Sequence, residues 1–428
     1  MSEVTEEPAR KSWVIDTRPL RAPAYRRMWA GNALSFFGFQ FTAVAVPVQM
    51  YAVTGSSAWV GLLGVAGLVP LLIFGLWGGA AADVVDRRKL LLASSLLAWL
   101  ATLGLLAQAL LGLRSGYLLL GLTAVQSAGF AISSPARQAI IPRIVPAGLV
   151  PAANTLGFTA STAGGVLGPL AAGLIFGAAT TSAGVTVAYL VDAALFGISF
   201  WATWKLPPIP PAEHDPAEER PTAGLRGIAV GLRFLATQPV LLLSFAVDIV
   251  AMVFAMPRAL FPEVAEDRFG GVAAVGYLFS AIAIGSMLGG LTSGWIGRIK
   301  RQGLALVIAV VGWGVAIGLS GLAHQLWLTV LLLAVAGAAD LVSAVYRQSI
   351  LQTFAPDRLR GRLQGVFIVV VAGGPRLGDL RAGATADLAG PTASWAGGGF
   401  AAAGVAVALA LAFPALLRYR PPPSPPPD

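Results

Sequence analysis

The chain has 428 residues, of which 56% are hydrophobic and only 11% are charged. Soluble proteins carry about 25% charged residues, so a water-soluble fold of this size could not hide so much apolar surface. The net charge is +9, but the basic residues lie in short clusters between apolar runs, where membrane topology explains them and nucleic-acid binding is not needed.

The residue types that supply most thiol and metal chemistry are scarce. The sequence has no cysteine, which excludes disulfides and thiolate chemistry, and its two histidines, His214 and His324, are far apart. The polar N-terminal segment lacks the short apolar core of a cleaved signal peptide. We therefore expect no metal, no cofactor and no cleaved leader.

Apolar runs bounded by charged or turn residues predict twelve membrane-spanning helices. Each run is about twice as long as a transmembrane β-strand and does not alternate between polar and apolar residues, which argues against a barrel. About 20 apolar residues in a helix cross the bilayer. The predicted spans are residues 28–52, 59–82, 90–113, 116–137, 147–176, 185–205, 239–260, 271–296, 303–322, 326–350, 363–388 and 392–417.

The spans group into two six-helix bundles, residues 28–205 and 238–417. Between them, residues 206–237 begin with the proline-rich linker "LPPIPPAEHDPAEERPTAG" and continue with an amphipathic helix. This helix is predicted to lie along the inner membrane surface, and the alternative is that it forms the first turns of span seven. The N-terminal segment 1–27 and the Pro-rich tail 418–428 are predicted to be cytoplasmic.

The distribution of Lys and Arg predicts the orientation. With both termini in the cytoplasm, 23 of the 29 basic residues lie on the inner side, three lie outside and three fall within spans. Inner loops of membrane proteins carry such an excess. The chain is therefore predicted to be a multi-pass protein of the cell inner (cytoplasmic) membrane with both termini cytoplasmic.

The two halves of the sequence repeat each other. The stretch "GGAAADVVDRRKL" from Gly78 aligns with "GGLTSGWIGRIKR" from Gly289. At nearly the same offset, "GGVLGPLAAG" (164–173) aligns with "GPRLGDLRAG" (374–383). Six spans per unit is an even number, so both units enter from one side and are predicted to be related by a pseudo-two-fold axis along the membrane normal. Asp83 has no acidic counterpart, because a glycine occupies its place.

These features resemble the major facilitator superfamily. The stretch "GGAAADVVDRRK" is similar to the superfamily's loop 2–3 motif, Gly-x-x-x-Asp-Arg-x-Gly-Arg-Arg, from which Val84 and Asp86 depart. The span-five stretch is similar to the proton-antiporter motif ending Gly-Pro-x-x-Gly-Gly, with Ala172 replacing one glycine. A closer likeness, to enterobactin-exporter-like members and their drug-efflux relatives, rests on residues 45–64, 256–262 and 351–366.

The resemblance implies an all-α fold of twelve transmembrane helices and a conformational gate at loop 2–3. An aspartate at the C-terminal end of a helix is disfavoured by the helix dipole and is favoured beside arginines. The implied gate comprises Gly79, Asp83, Arg87, Arg88, Arg360 and Arg362, and the basic residues of the loop are interpreted as a topology anchor as well. The implied antiporter motif comprises Gly164, Gly168, Pro169 and Gly173.

Ionisable side chains within the bilayer are costly, so they face a cavity or one another. Burial disfavours the charge of a carboxyl group and a nearby Arg favours it, so an exchangeable Arg partner can control proton uptake. The residues predicted for proton coupling are Asp248, Asp340, Arg347, Arg376 and Asp379. Arg376 and Asp379 are three residues apart, and a permanent ion pair is their alternative. Asp192 and Asp387 are interpreted as structural.

Polar residues of the central spans are predicted to line a substrate cavity. Ser35, Thr42 and Gln49 are spaced by seven residues and form a polar stripe along one side of span one. The predicted cavity residues are Asn32, Ser35, Gln40, Thr42, Gln49, Gln126, Arg137 and Arg258.

The predicted function is secondary active export of a small organic molecule, a siderophore or a drug-like compound, by proton antiport and alternating access. The alternatives are a broad multidrug or macrolide-like efflux pump and a proton-coupled importer. The sequence holds no phosphate-binding loop and no catalytic constellation, so neither an ATP-driven pump nor an enzyme is predicted. The expected partners are the substrate, protons and the lipid bilayer, with no nucleic acid, and the expected state is a monomer.

Overall fold

The computed structural model describes residues 15–209, 225–356 and 359–420, and among these it leaves out the side chains of residues 76, 79, 80, 82–84, 225–229, 360–362 and 368. The described chain is almost entirely helical. Its helices are α1 (Pro23–Thr54), α2 (Ser57–Val84), α3 (Arg87–Leu110), α4 (Gly116–Ile144), α5 (Val150–Ala178), α6 (Thr181–Trp204), α7 (Leu225–Thr237), α8 (Pro239–Ala255), α9 (Phe261–Arg268), α10 (Ala274–Leu291), α11 (Gln302–Leu322), α12 (Leu326–Phe354), α13 (Arg360–Ala389), α14 (Pro391–Ala412) and α15 (Pro414–Arg418).

Twelve segments of the described ranges are helical, long and apolar enough to cross a bilayer, which confirms the predicted all-α membrane fold. The predicted and observed ends differ most at span four. The apolar run was taken to end at Arg137, whereas α4 continues to Ile144. A charged residue ends an apolar run but does not end a helix, because the helix can continue into the polar interface.

The segment predicted as span seven is broken. α8 ends at Ala255, a 3-10 turn follows over Arg258–Leu260, and the chain becomes α-helical again at Phe261. Pro257 and Pro262 flank the turn, and a proline supplies no N–H for helical hydrogen bonds. The break carries Arg258 into the centre of the protein.

α7 is an element of its own. Gln238, in an extended conformation, separates it from α8, so it does not form the first turns of span seven. α7 packs against α13 and α8. Its location at the membrane surface stays a prediction.

The helix packing repeats between the halves. In the first half α1 packs on α6, α2 on α4, and α3 on both α4 and α6. In the second half α8 packs on α14, α10 on α12, and α11 on both α12 and α14. These matching pairs confirm the two six-helix bundles of the predicted fold. The bundles meet where α2 packs on α13 and where α5 packs on α10.

The surroundings of the bundle-facing helices differ between the two sides of the protein. We call the side where α1 begins the terminal side and the opposite side the far side. Toward the far side a Cβ atom on Gly173 would lie 3.0 Å from the Cα of Gly276, across the α5–α10 contact. Toward the terminal side, Gly75 of α2 and Gly365 of α13 have no heavy atom within 4 Å of such a Cβ. The described conformation is therefore closed on the far side.

Candidate functional site

A cavity of about 770 Å³ lies between the bundles at the middle of the spans. Its wall is formed by α1, α2, α4, α5, α10, α12 and α13 together with the turn that interrupts span seven. Cavities of roughly 300–1,000 Å³ hold small organic molecules. Its polar lining residues are Gln40, Thr42, Thr123, Gln126, Ser127, Ser161, Thr162, Arg258, Ser286, Asp340, Arg376 and Asp379.

The structure brings half of the predicted cavity residues to this wall. Gln40, Thr42, Gln126 and Arg258 line it. Arg137 does not, because it lies eleven residues beyond Gln126 along α4, about 16 Å closer to the terminal side.

The polar stripe of α1 mostly faces the other helices of its own bundle. The Gln49 side chain donates to Gln108 Oε1 at 3.1 Å and accepts from the Tyr189 hydroxyl at 2.7 Å. Ser35 is buried and its hydroxyl donates to the Asn32 carbonyl. A polar group buried in a membrane protein needs a hydrogen-bond partner, and α3, α6 and the helix itself supply these. Of the stripe, Thr42 alone lines the cavity as well.

The antiporter-motif glycines bring α5 close to α1. A Cβ atom on Gly164 would lie 2.9 Å from Cδ1 of Phe36, and one on Gly168 would lie 2.9 Å from Cγ of Gln40. Pro169 lines the cavity, and Gly173 contacts the second bundle. The motif therefore borders the cavity wall and supports the placement of Gln40.

Two acids of the second bundle share one arginine. Asp248 of α8 forms an ion pair with Arg347 of α12, and both are buried. The Arg347 Nη2 atom also lies 3.6 Å from Oδ1 of Asp340. Asp340 is 32% exposed and lines the cavity, whereas Asp248 lies behind the wall. The chain Asp248–Arg347–Asp340 therefore connects the protein interior with the cavity.

Arg376 and Asp379 both line the cavity but form no ion pair with each other in the described structure. Arg376 donates to the Ala372 carbonyl of its own helix at 2.7 Å. Asp379 accepts a hydrogen bond from the backbone N–H of Ala259 at 3.2 Å. Instead of the permanent ion pair that was the alternative for these two residues, the structure has two separate contacts, and one of these reaches the break in span seven.

Arg381 satisfies the other end of that break. Its Nε donates to the Val253 carbonyl at 3.2 Å, and its guanidinium also donates to the carbonyls of Phe254 and Ser394. The last carbonyls of a helix lack intrahelical partners, so one side chain of α13 compensates for the early end of α8.

The loop between α2 and α3 contacts its own bundle. Asp86 caps α3 by accepting from the Lys89 N–H at 3.0 Å, and it accepts from the Ile209 N–H at 3.1 Å. Arg87 donates to the Ala139 carbonyl at 3.4 Å, and Arg88 donates to the carbonyl of Trp204, at the end of α6, at 2.6 Å. Asp86, a departure from the superfamily motif, thus anchors the start of the linker. The side chains of Gly79, Asp83, Arg360 and Arg362 lie outside those described, so their gating role stays a prediction.

Hydroxyl groups of one bundle bind carboxylates of the other on the far side. Ser56 donates to Asp387 at 2.6 Å, Ser57 donates to Glu263, and the Ala58 N–H points to Asp387 at 3.4 Å. Both serines lie at the start of α2. Asp387, interpreted from the sequence as structural, therefore connects the two bundles.

Sequence reasoning missed the small hydroxyl residues of the wall. Thr123 and Ser127 lie on the face of α4 that presents Gln126, and Ser161, Thr162 and Ser286 complete the lining. For Thr123 and Ser127 the signal in the sequence was their position three residues before and one residue after Gln126. Single serines and threonines are common in membrane helices, so this spacing was too weak a signal to single these residues out.

The comparisons with known proteins agree with this architecture. Residues 16–421 match the family model described as "Transmembrane secretion effector". The chain is 30% identical to the enterobactin exporter EntS of Shigella boydii serotype 18, over 96% of this chain and 97% of that protein. It is 29% identical, over the same shares, to EntS of Escherichia coli O81.

Solved structures show the same fold at low sequence identity. The nucleoside transporter NupG superposes with a TM-score of 0.73 at 17% identity, covering 93% of this chain and 100% of NupG. A bacterial homologue of the iron transporter ferroportin, in an inward-facing state, gives 0.68 at 14% identity, covering 93% and 99%. The chain is a transporter of the major facilitator superfamily and belongs to its transmembrane secretion effector family.

Proposed function

We propose that the protein is a secondary active exporter of a small organic molecule, a siderophore or a compound of similar size. The observation that carries this proposal is the cavity between the bundles, whose polar wall includes an acid, Asp340, connected to buried charges. Export is supported by the relatives that carry the name enterobactin exporter. The protein acts as a monomer, because each bundle pair encloses one complete cavity.

The proposed driving force is exchange with protons. Asp340 and Asp248 compete for the positive charge of Arg347. When Asp340 takes up a proton from the cavity, Arg347 remains paired with the buried Asp248. When substrate binds beside Asp340, Asp340 loses that proton and Arg347 again interacts with both Asp248 and Asp340. Arg376 and Asp379 lie on the same wall and tune the local charge.

The proposed cycle is alternating access. The excess of basic residues on the terminal side supports cytoplasmic termini, so the described conformation exposes the cavity to the cytoplasm. Substrate enters there, the far-side contacts break, and Asp83 then meets Arg360 or Arg362 as the terminal side closes.

A broader multidrug specificity is the second candidate, and the apolar part of the wall favours it. Phe39, Leu63, Phe279 and Ile282 line the cavity together with several valines. Such a surface binds apolar compounds without directional contacts.

Uptake into inside-out membrane vesicles tests the proposal. With an acidic lumen, vesicles that contain the protein should accumulate enterobactin, and accumulation of a macrolide as well would indicate the multidrug alternative. Exchange of one proton at a gradient of one pH unit supports about tenfold accumulation, since one unit is about 1.4 kcal/mol. Accumulation only in right-side-out vesicles would indicate an importer and overturn export.

Variants Asp340→Asn and Asp248→Asn test the coupling site. Each removes one of the two carboxylates that compete for Arg347, so the proton-driven accumulation should fall from about tenfold to about one. Asp267→Asn, at an exposed acid outside the cavity, is the matched control and should transport normally. If Asp340→Asn and Asp248→Asn both keep the unmodified pH dependence, the proton is carried elsewhere.

A further inference from the structure

The carboxyl group of Asp192 is completely buried at the centre of the first bundle. Asp192 is the twelfth of the 24 residues of α6, and its exposed fraction is 0%. In the described part of the chain, the ion pairs join Asp16 with Arg18 and join Arg347 with two acids of the second bundle. Asp192 therefore has no basic partner.

The helices that pack against α6 bring no compensating charge to this depth. These are α1, α3 and α5. On α6 itself the other titratable group is Tyr189, one turn away, whose hydroxyl donates to Gln49. The charged or titratable residues of the neighbours are Tyr25, Arg26, Arg27 and Tyr51 near the ends of α1 and Arg87, Arg88 and Lys89 at the start of α3, while α5 has none.

The hydrogen bonds of Asp192 suit a neutral acid. Oδ2 is 2.6 Å from the Thr42 hydroxyl, and Oδ1 has no hydrogen-bond partner. An ionised carboxylate accepts several hydrogen bonds, and burying it with one bond and no cation is strongly unfavourable. A protonated carboxyl group is uncharged and donates a hydrogen bond itself. The surroundings therefore favour the protonated form.

Thr42 connects this acid with the cavity. Its side chain contacts Asp192 and it also lines the cavity wall. One turn earlier in α1, a Cβ atom on Gly38 would lie 2.9 Å from Oδ1 of Asp192. α1 thus covers the acid closely, and Thr42, a residue of the cavity wall, is its hydrogen-bond partner.

We propose that Asp192 is a proton-binding site of the transport cycle, reached from the cavity through the hydroxyl of Thr42. The proposal rests on the proposed proton-coupled function and adds a second protonation site, in the bundle opposite the Asp248–Arg347–Asp340 chain. Proton release breaks the Asp192 O–H bond and forms an O–H bond on Thr42, whose own hydroxyl proton passes to a cavity water. Thr42 ends neutral, and the carboxylate is reprotonated by the reverse transfer.

Infrared spectroscopy of the purified full-length protein in lipid vesicles tests the site with the proton as its only ligand. At neutral pH the protein should show the carbonyl stretch of a protonated carboxyl group, and Asp192→Asn should remove that band. Asparagine matches the neutral acid in shape, so the thermal unfolding temperature should stay unchanged. Asp267→Asn is the control and should leave the band intact. If the carbonyl-stretch absorption of Asp192→Asn equals that of the unmodified protein, the proposal is overturned.

The Thr42 route is tested by isotope exchange and by transport. In deuterated buffer the band shifts as the acid exchanges its proton, and Thr42→Val should slow this shift, whereas Thr42→Ser should keep the original rate. Proton-driven efflux by Asp192→Asn should lose one step of its pH profile. An unchanged profile in a folded Asp192→Asn variant would overturn the role in transport. Absence of proton-driven efflux in the unmodified protein would instead refute the proposed function. The infrared result does not depend on efflux, so the two failures can be distinguished.

Discussion

Arg347 balances two acids from a position that water does not reach. Its side chain is 4% exposed, and its partner Asp248 is equally buried at 3%. Removing one member of a buried ion pair leaves the other charge uncompensated, whereas removing both is far less costly. The stability of the second bundle should therefore depend on the pair as a unit.

We expect Arg347→Gln to destabilise the protein by about 3–5 kcal/mol, because it leaves the Asp248 carboxylate buried without a cation. The double variant Asp248→Asn/Arg347→Gln should recover most of this loss. Thermal unfolding in detergent measures both. Arg376→Gln is the matched control, since Arg376 faces the cavity and its hydrogen bond stays within its own helix. Equal stability of the single and double variants would contradict the shared pairing.

The sequence could indicate part of this arrangement. Asp340 and Arg347 lie seven residues apart, which places them on one helix face with their backbones about 10 Å apart in height. The long Arg347 side chain closes most of that distance. Asp248 lies about 100 residues earlier, and only the packing of α8 near α12 brings it to Arg347. The contact between Asp192 and Thr42 could not be predicted for a similar reason, since Thr42 belongs to a helix that is distant in the sequence.

At the scale of elements, the broken span seven depends on α13. In the described structure Arg381 forms no ion pair with an acid and instead donates hydrogen bonds to the last carbonyls of α8. Asp379 accepts a hydrogen bond from the Ala259 N–H beyond the break. Two side chains two residues apart thus compensate for both open ends of the interruption. They thereby position the turn that carries Arg258 to the cavity wall.

We expect Arg381→Leu to lower the free energy of unfolding by about 1.5–3 kcal/mol, because it removes charge-assisted hydrogen bonds from buried carbonyls. Arg381→Lys keeps the charge but has no planar set of donors, so it should recover only part of the loss. Thermal unfolding again provides the measurement. Unfolding of the leucine variant at the original temperature would show that α8 ends stably without Arg381.

Apolar runs predict a helix boundary well only where the helix begins or ends together with the run. The start of span eight was predicted at residue 271 and α10 begins at Ala274. The break in span seven was not predicted, although Pro257 lies within it, because a proline inside a membrane helix usually causes only a kink. The charged partners that stabilise a full interruption lie on α13 and could not be assigned to it from the sequence.

At the scale of the whole molecule, the described conformation is one of the two that the proposed alternating-access cycle needs. The chain has no cysteine, so a single introduced cysteine can report access to the cavity from the far side. Val60 is suited to this, because it lines the cavity near the far end of α2 and is 4% exposed. An impermeant maleimide added from the far side should label Val60→Cys only when that side opens.

We expect Gly276→Leu to increase this labelling by about fivefold or more, because a larger side chain cannot fit against Gly173 and overpacking of about 1–3 kcal/mol shifts the equilibrium accordingly. Gly397→Leu is the control, because its Cβ meets open space. Unchanged labelling in Gly276→Leu would show that the glycine contact does not maintain closure.

Asp83→Asn should decrease labelling, since it weakens the proposed gate that holds the terminal side closed, while membrane insertion stays normal. Intact transport by Asp83→Asn would exclude the gate.

The bonds between Ser56 or Ser57 and the acids of the second bundle have a consequence for the surroundings in which the protein works. Dissolved ions screen charges over a Debye length of about 8 Å at physiological ionic strength and about 3 Å at 1 M. A hydroxyl group that touches a carboxylate is too close for that screening to act fully, and contact between glycine backbones involves no net charge. Closure of the far side is therefore largely independent of salt, so changes in ionic strength on that side would leave the described conformation in place.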